Sequence, residues 1–485
     1  MKQTFIKTLL FASSLFALTN AHAQTPTETP KATTVEGGQT PTARAQDSAK
    51  TGAAATTTPV VAAPKPANSL NISVEMRVRS ELRHGYRSIP VKDTAASFST
   101  SQRTRLNFDF KTKRLDFYAS IQDARVWGQQ DPREGQGGSG LTSTPATTFP
   151  VYLFETYVEP HFNDKWSVRI GRQRIMYDNQ RLFAENDWRL AGNSHDAIRF
   201  IYNNNINLNT ELTFAFNQSN ENAFTSNYAP NGFSNYKDLL VHYLNYKISK
   251  SFILTTLNTM DGYQSAYNPK TNYQRFTSGG RLEYQSYNWY ATTAAYYQYG
   301  KDSSGKKLAA YYIQPEIKYT SKNTSIRLGM EYVSGQDSTS SKDNNFVPLY
   351  GVAHRFMGNL DLFTSFPRDL KSSGLINPYL FYQYKKDKWT VRIENHLFYT
   401  HTGFAFKGMP ANNKFLGFEN DWRLNFKPTP VIDLEYGFCW ASVTNSMVEL
   451  KNTIKTSADL NNYSKTPYFT YLSLRVTPVI GKFTF

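Results

Sequence analysis

The chain has almost no cysteine: Cys439 stands alone among 485 residues, so no internal disulfide can form. Long Leu/Val/Ile runs and helical 3.6-residue periodicity are also missing, which argues against an ordinary soluble domain. Past the N-terminus no apolar run reaches the roughly 20 residues that a transmembrane helix needs. Catalytic signatures are absent too. Neither G-x-S-x-G nor H-E-x-x-H occurs, and the 8 histidines are scattered, so nothing points to a hydrolase triad or a zinc hydrolase. No enzyme activity, metal or cofactor is expected. A TonB-dependent transporter would need a long plug domain before its barrel, and the segment available for one is short and polar.

What is abundant is aromatic and basic. Aromatics make up 15 %, with 32 Tyr and 33 Phe, and the net charge is +16, at a mean hydropathy of −0.54. Such a surplus of rings suits β structure and the aromatic girdles of membrane barrels. The same charge and rings would suit nucleic acid, but the export signal and the strand pattern described next account for both, so no nucleic-acid partner is expected. At the N-terminus Lys2 and Lys7 precede an apolar run from Leu9 to Leu18, followed by Ala21-His22-Ala23. This reads as a secretory signal peptide over 1–23 with an A-x-A cleavage site. Residues 24–69 are dominated by Ala, Thr and Pro. They cannot bury enough apolar surface to offset their ordering entropy and read as a disordered periplasmic extension.

Residues 70–485 are different. "NISVEMRVRSELRHG" alternates, with Ile72, Val74, Met76, Val78 and Leu82 on one side and Glu75, Arg77, Arg79, Glu81 and Arg83 on the other. The same period of two recurs in "RTRLNFDFK", "NLNTELTFAF", "SIRLGMEY", "TVRIENHLF" and "VIDLEYGF", each a strand with unlike faces. Connectors alternate between long and short. The long ones lie near 85–101, 128–150, 177–194, 219–236, 262–272, 300–307, 335–374, 401–413 and 445–466. The short ones lie near 112–114, 162–165, 203–205, 249–251, 286–288, 321–323, 385–388 and 427–430. Nine long and eight short make seventeen connections, hence about eighteen antiparallel strands. Long loops at one end, short turns at the other and an even count describe an all-β transmembrane barrel of the Gram-negative outer membrane. The opening strand is then inside out: its apolar face meets outer-membrane lipid and its charged face a wet lumen. Eighteen strands leave an aqueous channel, so passage of something polar is the expected role. The closing "YLSLRVTPVIGKFTF" ends in Phe485, and a terminal Phe on such a strand resembles the signal read by the barrel-assembly machinery, an expected partner.

The stretch from Arg169 to Phe200 is the most distinctive. Gly171-Arg172-Gln173, Gln180-Arg181-Leu182, Trp188-Arg189 and Asp196-Ala197-Ile198-Arg199-Phe200 together resemble the alginate-export family of outer-membrane porins, and "PLYGVAHRFMGNLDLF", Pro348 to Phe363, echoes a loop of that family. The resemblance implies an eighteen-stranded barrel and export of a polyuronate through a lumen lined by Arg and Lys. Guanidinium forks suit carboxylates bidentately. Candidate pore-lining cations are Arg77, Arg79, Arg83, Arg103, Arg105, Arg169, Arg199, Arg281, Arg327 and Arg392. Glu75, Glu81, Asp109, Glu211, Glu283, Glu331, Glu394, Asp433 and Glu435 share that face, so pairing across the wall is the plain alternative for any one Arg. The function expected is passage of polar, anionic solutes or polysaccharide; the alternative is a general or sugar-uptake porin without alginate specificity.

Overall fold

In the computed structural model the described residues are 68–127, 151–218, 236–265, 268, 270–354, 356–403 and 414–485. The expected signal peptide, nearly all of the N-terminal extension, the connector 128–150 and most of the connectors 219–236 and 401–413 lie outside them. Nineteen strand segments, β1 (Ser69–His84) to β19 (Val479–Thr484), form one sheet that closes on itself through β1. Every pairing between sequence neighbours is antiparallel, and β1 pairs with β2 (Ser97–Lys111) on one side and with β18 (Tyr468–Val476) and β19 on the other. Those last two segments are one stave in two pieces, so the barrel has eighteen staves, as the connector rhythm predicts. The break falls at Thr477-Pro478. Proline has no N–H to give the ladder. Here its carbonyl instead accepts from Val74 N at 3.0 Å, and the β1 register shifts between Ile72 and Ser73.

Closure matters because lipid cannot satisfy an open strand edge. The short turns are tight. Those at Tyr287, Lys322 and Asp387 each use a residue with positive φ, which matches the strand twist of two-residue hairpins. Aromatic pairs mark the end of the barrel that carries these turns: Trp166 with Tyr202 (4.6 Å between ring centres), Trp289 with Tyr319 (4.8 Å) and Trp389 with Phe426 (4.3 Å). At the opposite end Tyr311 stacks on Tyr332 at 5.7 Å, and Tyr399 meets Phe415 at 5.1 Å. Two ring girdles with an apolar band between them are the surface a bilayer selects.

The outward residues of the middle strands carry that band. Ile313 and Ile317 stand outward on β12 (Lys307–Ser321), Ile326 and Leu328 on β13 (Thr324–Val333), and Leu380 on β14 (Leu375–Lys386). Leu328→Arg is expected to cost about 2–4 kcal/mol in folding into bilayers, the price of a cation at the midplane. Refolding into lipid vesicles, followed by heat-modifiable migration, measures it; an unchanged yield and midpoint would contradict a lipid-facing Leu328.

Several strand ends shift by a few residues from the sequence reading: β2 begins at Ser97 and β16 (Phe415–Thr429) runs to Thr429, and one difference shapes the lumen. The alternation suggests a strand from Trp166 to Met176, but β5 is Trp166–Gln173. Beyond Gln173 the chain leaves the wall and turns into the lumen, and this departure forms the site.

Candidate functional site

Among the described residues, two long connectors that fold inward build the site. The first, 174–194, joins β5 to β6 (His195–Asn203); the second, 334–374, joins β13 to β14. The first is drawn in by charge. Asp187 sits at its tip against the cations of the wall: its carboxylate lies 2.7 Å from Arg103, 3.0 Å from Arg105, 2.5 Å from Arg475 and 4.0 Å from Arg77. Glu75 of β1 stands on the other side of the same guanidiniums, 3.7 Å from Arg105 and 3.1 Å from Arg475, and it also bonds Arg103. The backbone joins in. Arg77 donates to the carbonyls of Asp187 and Arg189, and Arg79 to that of Trp188. Arg79 also lies over the Trp188 ring at 3.9 Å. Burial alone would raise the Asp187 carboxyl, but Arg103, Arg105, Arg475 and Arg77 outweigh it and hold it well below the usual carboxylate range.

The second connector is apolar. Phe346, Leu349, Tyr350, Phe356, Met357, Leu360, Leu362 and Phe363 are buried with Ile175, Leu182 and Phe183 of the first. The two run side by side: Tyr350 N donates to Leu182 O at 2.9 Å, Ala184 N to Tyr350 O at 3.2 Å and Val352 N to Gln180 O at 3.1 Å. Trp188 stacks on His354 at 3.8 Å. The His354 Nδ1 faces Asp361 at 2.7 Å. Burial pushes the His354 imidazole down despite that carboxylate, so at neutral pH the ring is neutral and donates from Nδ1. The wall holds the second connector by polar clasps. Asn359 N donates to Asp421 at 3.0 Å, Leu360 N to Glu419 at 2.8 Å, and the Tyr350 hydroxyl to Asp261 at 2.8 Å.

Arg181 ties both connectors to the wall. It is buried, with Nη2 2.6 Å from Glu331 of β13 and 3.9 Å from Glu316 of β12, under the Phe356 ring at 3.9 Å. Beneath it, toward the short turns, lies a cavity of about 640 Å³. Its cations are Arg181, Arg281, Lys318, Arg327, Arg392 and Arg423; its acids are Asp178, Glu283, Glu316 and Glu394, an excess of two positive charges, six against four. Tyr243, Tyr290, Phe356 and Phe381 supply rings.

The ten arginines picked from the sequence fall into three groups. Arg77, Arg79, Arg103 and Arg105 lie under the first connector. Arg83, Arg169 and Arg199 pair with nearby acids: Arg83 with Glu81, Arg169 with Glu159 at 2.6 Å and Arg199 with Glu211. Arg281, Arg327 and Arg392 border the cavity. Arg281 lies 3.2 Å from Glu283 and Arg327 3.6 Å from Glu316, and Arg392 donates to Gln383 and Asn425 at 3.0 Å each. Arg423, Lys318, Arg475 and Asp187 belong to the site as well and were not singled out; Asp187 sits in the middle of the Gln180–Arg189 motif, and its carboxylate was the available signal.

The motif residues have local work. Gly171 takes φ +127°, and a Cβ there would meet Thr156 O at 2.3 Å. Gln173 donates to Ala197 O at 2.9 Å. Arg172 and Asp196 face outward and form a forked pair at 2.7 and 2.8 Å, so they lie off the lumen. Gln180 has φ +67° at the turn that presents Arg181.

Solved structures share this architecture. OccAB2 of Acinetobacter baumannii is 12 % identical, with a TM-score of 0.54 over 85 % of this chain and 98 % of its own. OpdL of Pseudomonas aeruginosa is 10 % identical, with a TM-score of 0.54 over 85 % of this chain and 99 % of its own. The same holds for P. aeruginosa OpdK solved with vanillate, 10 % identical with a TM-score of 0.54 over 85 % and 99 %. The chain has an outer-membrane porin fold. With its girdles and its closed, apolar-faced wall, this porin-type barrel places the protein in the outer membrane. No family model matches the chain and no curated protein matches it, so the resemblance to the alginate-export family gains no support beyond the barrel itself.

Proposed function

We propose that the protein is an outer-membrane channel for small polar solutes with a preference for anions, a passive porin rather than an enzyme. The cavity under Arg181 carries this reading. Its volume of about 640 Å³ falls within the roughly 300–1,000 Å³ of small-molecule sites, its charge excess is positive, and its rings stand beside guanidiniums. That combination suits a small carboxylate, including an aromatic one; the similar OpdK barrel was solved with vanillate. Polyuronate export is the second reading. It rests on the Arg169–Phe200 motif, and the two inward connectors favour small solutes over a polymer chain.

Reversal potentials across planar bilayers in a salt gradient test the charge preference. The unmodified channel should favour anions. Replacing Arg281, Arg327 and Arg392 together by Ala should lower that preference markedly and make it less sensitive to ionic strength, since salt screens fields over about 8–10 Å. Cation preference in the unmodified channel, unaffected by the triple substitution, would remove the anion reading and leave a general or sugar porin. Liposome swelling with benzoates, hexuronates and uronate oligomers then separates the two substrate classes.

A further inference from the structure

Among the described residues, the outer wall carries a polar patch in the middle of its apolar band on four neighbouring strands. Near the middle of β8 (Asp238–Lys247), β9 (Phe252–Gln264) and β10 (Asn272–Ser286), the outward residues are His242, Asn258 and Ser278, a row that ends at Tyr297 on β11 (Trp289–Lys301). His242, Asn258 and Ser278 stand side by side in register, with Thr256, Gly280 and Ala295 in the next row. Large apolar residues flank the patch. Leu240, Met260 and Phe276 lie on the long-loop side, and Leu254 and Leu282 on the short-turn side. The patch is therefore a shallow, polar dent within the apolar band.

Its polar groups are unevenly satisfied. His242 Nε2 and Thr210 Oγ1 are 3.1 Å apart, and Ser278 reaches the Tyr299 hydroxyl at 3.4 Å. Among the described residues, no hydrogen bond reaches the side chain of Asn258. The opposite wall provides the contrast. There Asn395 and Asn420 also face outward, yet they bond each other at 2.9 Å, and the indoles of Trp422 and Trp440 donate to Asn420 at 2.6 and 3.1 Å. Those two mid-wall asparagines are closed off by each other and by the indoles, whereas Asn258 is not. Acyl chains offer neither donor nor acceptor, and leaving an amide unanswered there is costly.

We propose that the β8–β11 wall is a self-association surface by which two copies of the barrel pair side by side in the membrane. A carboxamide is donor and acceptor at once, so a second copy of the patch answers it. A two-fold axis along the membrane normal sets each residue opposite its twin at the same depth. Small residues beside it let the two walls approach, and polar groups across the contact act as they do between membrane helices.

Light scattering in detergent and thiol cross-linking in proteoliposomes test this. The unmodified barrel should show the mass of a dimer, and Asn258→Leu, which suits lipid better than the native residue, should give a monomer that keeps heat-modifiable migration. Asn258→Cys and Ser278→Cys should each yield a cross-linked dimer with a short bis-maleimide. Leu472→Cys, on β18 and exposed to lipid, should not; Cys439 is buried and stays silent. Should Asn258→Leu fail to fold, the cysteine variants decide alone. A monomeric unmodified barrel in proteoliposomes, or cross-linking at 472 equal to that at 258, overturns the proposal, whether lipid or another protein covers the patch.

Discussion

Asp187→Ala is expected to destabilise the folded barrel by about 3–5 kcal/mol, the cost of leaving buried charge without its partner. The substitution removes the carboxylate that faces Arg77, Arg103, Arg105 and Arg475. One carboxylate in place of two, that of Glu75, would remain against the guanidiniums of Arg103, Arg105 and Arg475. Their mutual repulsion then pushes the first connector off the wall, so single-channel conductance should rise along with the loss of thermal stability. Asp187→Asn should fall between, because an amide oxygen still accepts one guanidinium. Acid should mimic the substitution. The folded Asp187 carboxyl is held well below its ordinary value, so its contribution is present above the unfolded value and is lost as pH falls through the folded one, below about pH 4. The Asp187→Ala variant should lack that acid-dependent component. Melting by circular dichroism between pH 3 and 7 measures both effects; an Asp187→Ala barrel as stable as the unmodified one, with the same pH slope, would show that the cluster does not hold the connector.

The wall was legible in the sequence, and the filling of the lumen was not. Alternation in "NISVEMRVRSELRHG" gives β1 its two faces because lipid and water select opposite side chains at every second residue. The long–short rhythm gives the stave count because each short turn leaves the chain little room to do anything but reverse. Inward folding has no such period. It depends on contacts such as Asp187 with Arg475, separated by 288 positions. Two local signs were nevertheless present. The connector 334–374 is far richer in Phe, Leu and Tyr than an exposed loop requires, and its apolar residues are the ones buried in the lumen. Strand β8, "DLLVHYLNYK", breaks the alternation: Leu239 and Val241 point inward and are buried, while Leu240 and Leu244 take the outward positions. A strand apolar on both faces has a packed neighbour on each, here lipid outside and the connectors inside. The cavity cations were legible one at a time, as Arg281, Arg327 and Arg392 were; their convergence beneath Arg181 was not, because it is set by where the connector from β5 turns back.

Excising the second connector should enlarge the channel most. Residues 336–373 can be removed and Gly335 joined to Gly374 with little strain. Val333 and Leu375 pair directly across β13 and β14, Gln336 N donates to Ser372 O at 2.7 Å, and a Cβ on Gly335 would fall 2.2 Å from Gly374 N. The wall should survive, because its backbone groups are satisfied by neighbouring strands rather than by the loop. Polar clasps such as Asp421, Glu419 and Asp261 would be released to water, which hydrates them. Exposed Leu239, Val241 and Phe398 would cost some stability, but the apolar residues of the connector leave with it. An eighteen-stave barrel freed of this filling is a wide aqueous pore, so conductance should rise several-fold, and larger sugars should enter in liposome swelling. Anion preference should fall at the same time, since on the proposed path the cavity beside Arg181 would lose its upper wall at Phe356. Arg181 itself would lose the Phe356 ring above it while keeping Glu331, so Arg181→Met in the excised background should change selectivity further with little effect on conductance. A folded, excised barrel with unaltered conductance would mean that the second connector does not set the width of the path.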